Sequence, residues 1–126
     1  MPYSLLAIAV GAVLGAWLRW GIGQWLNPLF VSLPLGTLTA NLLGAFIIGL
    51  ATAWLANSTL SPNIKLLLVT GFCGALTTFS TFSLEMLDLL QRARLMAALT
   101  GIAVHVGGSL ICTALGLACY DWWANR

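Results

Sequence analysis

The sequence predicts an all-α membrane protein: four transmembrane helices per chain, the third broken near its middle, assembled as an antiparallel, dual-topology homodimer. Three observations carry this. Of 126 residues, 60% are hydrophobic and 6% charged, with a mean hydropathy of +0.99, whereas a soluble domain carries about 25% charged residues. The apolar residues fall into four runs, each near or above the roughly 20 residues that cross a bilayer. The few Lys and Arg residues are divided almost evenly between the two sides such a chain would have.

The first run extends from about Tyr3 to Trp25 and is ended by Asn27-Pro28. Nothing basic precedes it and it exceeds a signal-peptide core, so it reads as a membrane helix rather than a cleavable leader. The second runs from about Leu35 to Leu55, opened by Pro34 and closed by Asn57-Ser58. The third follows the helix-start signal Ser61-Pro62-Asn63 and runs from about Ile64 to Leu90. The fourth runs from about Leu95 to Trp122, completing a single domain over residues 1–126. Short loops make sequential helices antiparallel neighbours. The Trp residues lie mostly near span ends, where aromatic belts form. Gly11 with Gly15, Ala40 with Gly44, Ala45 with Gly49, and Gly108, Cys112 and Gly116 give small-residue stripes for close packing. Cys73, Cys112 and Cys119 read as small apolar packing residues, since no CxxC or ligand cluster accompanies them.

Charge placement sets the assembly. The N-terminus, the loop after the second span and the C-terminus share one side, with Lys65 and Arg126. The other side carries Arg92, Arg94 and, late in the first span, Arg19. So small a bias hardly orients the chain. It predicts insertion both ways round and an antiparallel pair about a two-fold axis in the membrane plane. The alternative is one orientation set by folding of the first hairpin. With no basic run, nucleic acid is not implied.

Polar residues inside the spans point to a pathway. Thr37 and Asn41 share a face of the second span, and His105, Ser109 and Thr113 share a face of the fourth. The third span carries Gly71-Phe72-Cys73-Gly74-Ala75-Leu76-Thr77-Thr78-Phe79-Ser80-Thr81-Phe82, then Ser83 and Glu85. Hydroxyls at that depth are costly unless something polar uses them. They either satisfy one another between helices or line a permeation route. The donors are neutral and the first two spans hold no acid, which suits an anion better than a cation. Phe79 and Phe82, at i and i+3, share a face. They are either core rings or positive ring edges turned toward an anion. Glycine and threonine from Gly74 to Thr78 weaken the helix. A break there frees carbonyls that hold a monovalent cation at the axis of an antiparallel dimer, or is a simple kink.

The run from Gly71 to Ser83 resembles the signature of the small bacterial fluoride channels, the Fluc or CrcB family. The resemblance extends over the whole chain through Arg19, Pro34-Leu35-Gly36-Thr37-Leu38 and Ala40-Asn41-Leu42-Leu43-Gly44. It implies an antiparallel homodimer in the bacterial inner membrane, with two fluoride pores and a structural sodium ion between subunits. By this resemblance Phe79 and Phe82 are the pore phenylalanines, Asn41 the pore asparagine and Thr37 the hydroxyl one turn before it. Ser80, Thr81 and Ser109 form the polar track, and His105, where relatives often carry Asn or Ser, is a neutral donor beside it. Gly74 and Thr77 offer backbone carbonyls to sodium, Glu85 is the acid near the pore, and Arg19 draws anions into the vestibule. Ala75 departs from the family's usual second glycine.

The function expected is passive, electrodiffusive export of fluoride from the cytoplasm, which protects against fluoride toxicity and involves no enzyme chemistry. A proton-coupled exporter needs an embedded carboxylate, typically in the first span; the internal acids here are Glu85 and Asp88, late in the third. An intramembrane hydrolase lacks an acid positioned to orient His105. A packing subunit of a larger complex is the remaining alternative.

Overall fold

The structure, a computed structural model, describes residues 1–126 and is all-helical. Helix α1 spans Pro2–Leu26 and continues into a short 3-10 turn, Asn27–Leu29. Helix α2 spans Leu35–Ala56, α3 is the span Pro62–Gln91, and α4 spans Leu95–Ala124. All four are long and apolar enough to cross a membrane.

Local chemistry sets the helix ends. Ser61 Oγ accepts the Asn63 N–H at 3.3 Å, and Pro62 fills the first helical position, where no N–H is needed. Helix α2 has no side-chain cap from its own N-cap, Pro34. Asn27 supplies one from the preceding turn: its Oδ1 accepts from the Gly36 N–H at 2.8 Å and the Thr37 N–H at 3.2 Å. These two donors would otherwise be orphans of the helix start. A Cβ at Gly36 would lie 2.7 Å from the Gly23 Cα, so only glycine permits this approach. Asn27, expected only to end the first span, also starts the second.

The third span is not uniform. Leu66–Cys73 is wound as a π-helix, with wide turns in which the Gly74 N–H reaches back to the Val69 carbonyl. After the turn Gly74–Leu76, Thr77 (φ −82°, ψ 152°) and Thr78 (φ −148°, ψ 113°) are extended. Helix then resumes over Phe79–Gln91. The axis turns by only 16° in this region, so the change is in hydrogen bonding far more than in direction.

Packing explains where the two halves of α3 go. The first half lies along α1; the second lies against α4. Gly11 and Gly15 of α1 sit directly on the backbone of Leu67 and Phe72, where any side chain would collide. Gly49 of α2 and Gly116 of α4 do the same for the α2–α4 contact, against Thr113 and Phe46. Phe82, Met86, Leu89 and Ala98 form a small apolar core between the second half of α3 and α4. Thr77 and Thr78 therefore fall where α3 changes partner.

Two hydrogen bonds define the ends of the bundle. Ser4 Oγ meets Asn63 Oδ1 at 3.0 Å, so the N-terminus and the α2–α3 loop share one end. Arg94 Nη2 donates to Ser32 Oγ at 3.0 Å, placing the α1–α2 and α3–α4 loops at the other.

Candidate functional site

The extended residues of α3 are held by α2. Asn41 Oδ1 accepts the Thr78 N–H at 2.7 Å, and Asn41 Nδ2 donates to the Thr78 carbonyl at 3.1 Å. One side-chain amide thus takes the place of a helical hydrogen bond in each direction. Asn41 Nδ2 also lies 3.1 Å from His105 Nδ1 of α4, so three helices meet at this amide. The Thr78 side chain caps the second half of α3. Its Oγ1 accepts the Thr81 N–H at 3.2 Å, lies 3.1 Å from Thr81 Oγ1 and is 3.3 Å from Ser80 Oγ.

These bonds leave carbonyls over. The Thr78 N–H, which would close onto the Gly74 carbonyl in a regular helix, goes to Asn41. The Thr81 N–H, which would close onto Thr77, goes to the Thr78 hydroxyl. Gly74 and Thr77 therefore lose their i+4 donors, and Gly74 is exposed on the single chain. Freed carbonyls of this kind are the donor set a hard monovalent cation takes. Thr77 Oγ1 is turned back to the Cys73 carbonyl at 2.9 Å and is already used.

Two open cavities meet at this point. One, of about 460 Å³, lies between α2, α3 and α4 and includes Asn41, Phe79, Phe82, His105, Ser109 and Thr113 in its lining. The other, of about 380 Å³, is lined mostly by polar residues, among them Arg19, Gln24, Asn27, Thr37 and Thr81, beside Trp20 and Pro28. Thr78 is the one residue in both linings.

The structure thus brings Asn41, Phe79, Phe82, His105 and Ser109 together in one chamber, and Arg19, Thr37 and Thr81 in the other. Phe79 and Phe82 are edge to face at 5.5 Å, but Phe82 is buried whereas Phe79 is 77% exposed. Ser80 lines neither cavity and reaches the others through the Thr78 hydroxyl. Thr37 donates to Glu85 Oε1 at 2.5 Å, while Glu85 Oε2 is buried without a partner. The spacing of Thr37 and Asn41 revealed a shared face, but they serve different partners on α3. Thr78, Gln24 and Asn27 are the residues sequence reasoning missed. Thr78 stood within the hydroxyl run but carried no distinguishing spacing. Gln24 and Asn27 close the end of α1 that also carries Arg19.

Fold and site together define a small multi-pass membrane protein in which a largely apolar chamber and a more polar cavity meet near the middle of its spans. Comparison with known proteins agrees. The family model "CrcB-like protein, Camphor Resistance (CrcB)" matches residues 6–117. A protein of Acinetobacter baumannii strain ATCC 17978 named "Fluoride-specific ion channel FluC" is 60% identical over 126 residues, all of both chains. Proteins of the same name from Acinetobacter baylyi and Pseudomonas putida strain W619 are 59% and 58% identical, again over the full length of both chains. The chain belongs to the CrcB family, and is a bacterial multi-pass membrane protein.

Proposed function

We propose that this chain is one half of a fluoride-selective channel, an antiparallel homodimer that releases fluoride from the cytoplasm by passive electrodiffusion. The observation that carries the reading is the junction at Thr78. There a polar vestibule containing Arg19 adjoins a chamber that combines hydroxyls with two phenyl rings. The name shared by full-length relatives, fluoride-specific ion channel, points the same way.

Fluoride is small and strongly hydrated, so loss of its water shell is the main barrier to crossing. Arg19 raises the local anion concentration at the vestibule. Thr81 and Ser109 replace water donors along the route, with Thr37 turned to Glu85 and Ser80 joined through the Thr78 hydroxyl beside it, while Asn41 and His105 frame the chamber. The ring edges of Phe79 and Phe82 contribute weak positive potential, which attracts the anion without trapping it. Glu85, tied to Thr37, sits beside this route. The chamber lining holds no carboxylate, consistent with an anion route.

The exposed face bearing Gly74 and Phe79 is the face an inverted second copy would cover. A sodium ion held there by the Gly74 and Thr77 carbonyls of both chains would join the two subunits electrostatically. Each chain then contributes to two separate pores.

The test is ion release from liposomes containing the purified protein, read with a fluoride electrode in the presence of a potassium ionophore, with a chloride electrode as control. Rapid fluoride release without chloride release is expected. Release of neither ion would overturn the channel reading, and release of both would overturn the selectivity.

A further inference from the structure

Asn41 was expected to serve the pore directly, yet its amide is already committed. Oδ1 must be the atom facing the Thr78 N–H, because only an oxygen can accept there, and Nδ2 must face the Thr78 carbonyl, because only an amide N–H can donate to it. The same backbone residue thus reads the amide from both sides. The orientation of an Asn side chain, usually open to a flip, is fixed here by chemistry. The remaining Nδ2 hydrogen then points to His105 Nδ1, 3.1 Å away. A donor facing that nitrogen requires it to be a bare acceptor, so the ring proton must sit on Nε2.

His105 Nε2 is buried and has no hydrogen-bond partner, although the residue is only 3% exposed. An unsatisfied N–H at such a site is costly. It belongs to a residue of the chamber wall, with the Phe82 ring 4.5 Å away, centroid to centroid.

We propose that Thr78, Asn41 and His105 form a directional hydrogen-bond relay, in which Asn41 is a positioning residue and the Nε2–H of His105 is the donor offered to the permeating anion. The relay starts at a backbone that cannot change its polarity and ends at one N–H left unspent. It thereby holds a neutral imidazole in its donating form, without a fixed positive charge that would trap the anion. The identity of that anion rests on the fluoride reading; the direction of the relay does not.

The chain contains one histidine, so 15N-histidine labelling reports His105 alone. Solid-state NMR of the full-length protein in liposomes at neutral pH is expected to show a bare Nδ1 and a protonated Nε2. A proton on Nδ1, alone or in an imidazolium, would overturn the relay. Saturating fluoride should shift the Nε2–H resonance and equal chloride should not. An unmoved resonance in protein that conducts fluoride would overturn the donor role. A protein that conducts no fluoride would instead sink the channel reading and leave the tautomer standing.

Substitution gives an independent arm. His105→Asn retains an oxygen to accept from Asn41 and an N–H to offer onward; His105→Leu retains neither. Fluoride release should fall by on the order of tenfold or more in His105→Leu and by only a few-fold in His105→Asn. Equal loss in both, with dimer and helix content intact, would show that the ring matters by shape and overturn the proposal.

Discussion

Phe79 and Phe82 differ by three positions but occupy opposite environments, and their substitutions should separate accordingly. Phe82 belongs to the apolar core with Met86, Leu89 and Ala98, while Phe79 is 77% exposed on the single chain. Phe79→Ile is expected to leave the folded protein and its melting temperature unchanged but to lower fluoride release by about tenfold, the upper range of an aromatic ring's specific contribution. Phe82→Ile should lower release as well and also cost about 1–2 kcal/mol of stability, because a core volume changes shape. Unchanged flux in Phe79→Ile would remove the rings from the mechanism. Glu85 is a second discriminating residue. Glu85→Gln keeps the oxygen that Thr37 donates to, so release should fall by less than about threefold, below the effect of losing one hydrogen bond outright. Abolition would mean that the carboxylate itself carries protons and would restore the exporter. The faces bearing these residues were legible in the sequence, since 3.6-residue periodicity aligns His105, Ser109 and Thr113, and all three do line one chamber. Their partners were not. Thr37 and Asn41 reach Glu85 and Thr78 across helices, and that pairing depends on how far α2 slides along α3, which no spacing within either segment encodes.

At the scale of elements, α3 is held together by side chains where its own backbone bonding lapses. Thr78 supplies the cap of the second half, and Asn41 supplies both backbone substitutes. Thr78→Val keeps the shape and the β-branch but removes the hydroxyl. A loss of about 1 kcal/mol is expected, the ordinary value of a helix N-cap, read as a lower melting temperature in detergent. A melting temperature equal to wild type would show that the Thr81 N–H finds another acceptor. The helix–helix contacts are stricter. Gly49→Leu and Gly15→Leu each force a side chain into an opposing backbone, so each should abolish the folded species in size-exclusion chromatography. Gly21 has open space around it, and Gly21→Leu should be tolerated. The small-residue stripes on α1 and α2 were therefore readable as contact faces, although not which helix each would meet. The wide winding of Leu66–Cys73 was not readable at all. Apart from Thr70 that stretch is apolar, so no change in hydrophobic period marks it, although its Leu67 and Phe72 backbone lies against Gly11 and Gly15 of α1. Asn27 was hidden for a related reason: a residue that stops one helix carries no local sign that it caps the next.

At the scale of the whole molecule, the placement of the charges and of the exposed α3 face bears on how two copies would be oriented. The bonds Ser4–Asn63 and Arg94–Ser32 define the two ends. Lys65 and Arg126 belong with the first end, Arg92 and Arg94 with the second, and Arg19 lies toward the second as well, in the cavity that includes Gln24, Asn27 and Pro28. An excess of one basic residue is too small to dictate insertion. Gly74, Thr77 and Phe79 lie near the middle of the span Pro62–Gln91. Two chains related by an axis in the membrane plane would bring such mid-span residues opposite one another. Two parallel chains would present the same face with both vestibules at one end. Linking two copies separates these arrangements. A tandem joined through an additional single transmembrane helix forces opposite orientations, whereas a tandem joined through a short polar linker between the C-terminus and the next N-terminus, which lie on the same side, forces parallel ones. On the proposed antiparallel assembly the inverting tandem keeps the pores and their barriers unchanged, so it is expected to release fluoride at the rate of the unlinked protein, within about a factor of two. The parallel tandem is expected to release it at background. Full activity from the parallel tandem alone would overturn the antiparallel assembly. It would also leave the freed carbonyls of Gly74 and Thr77 without a symmetry mate to share an ion.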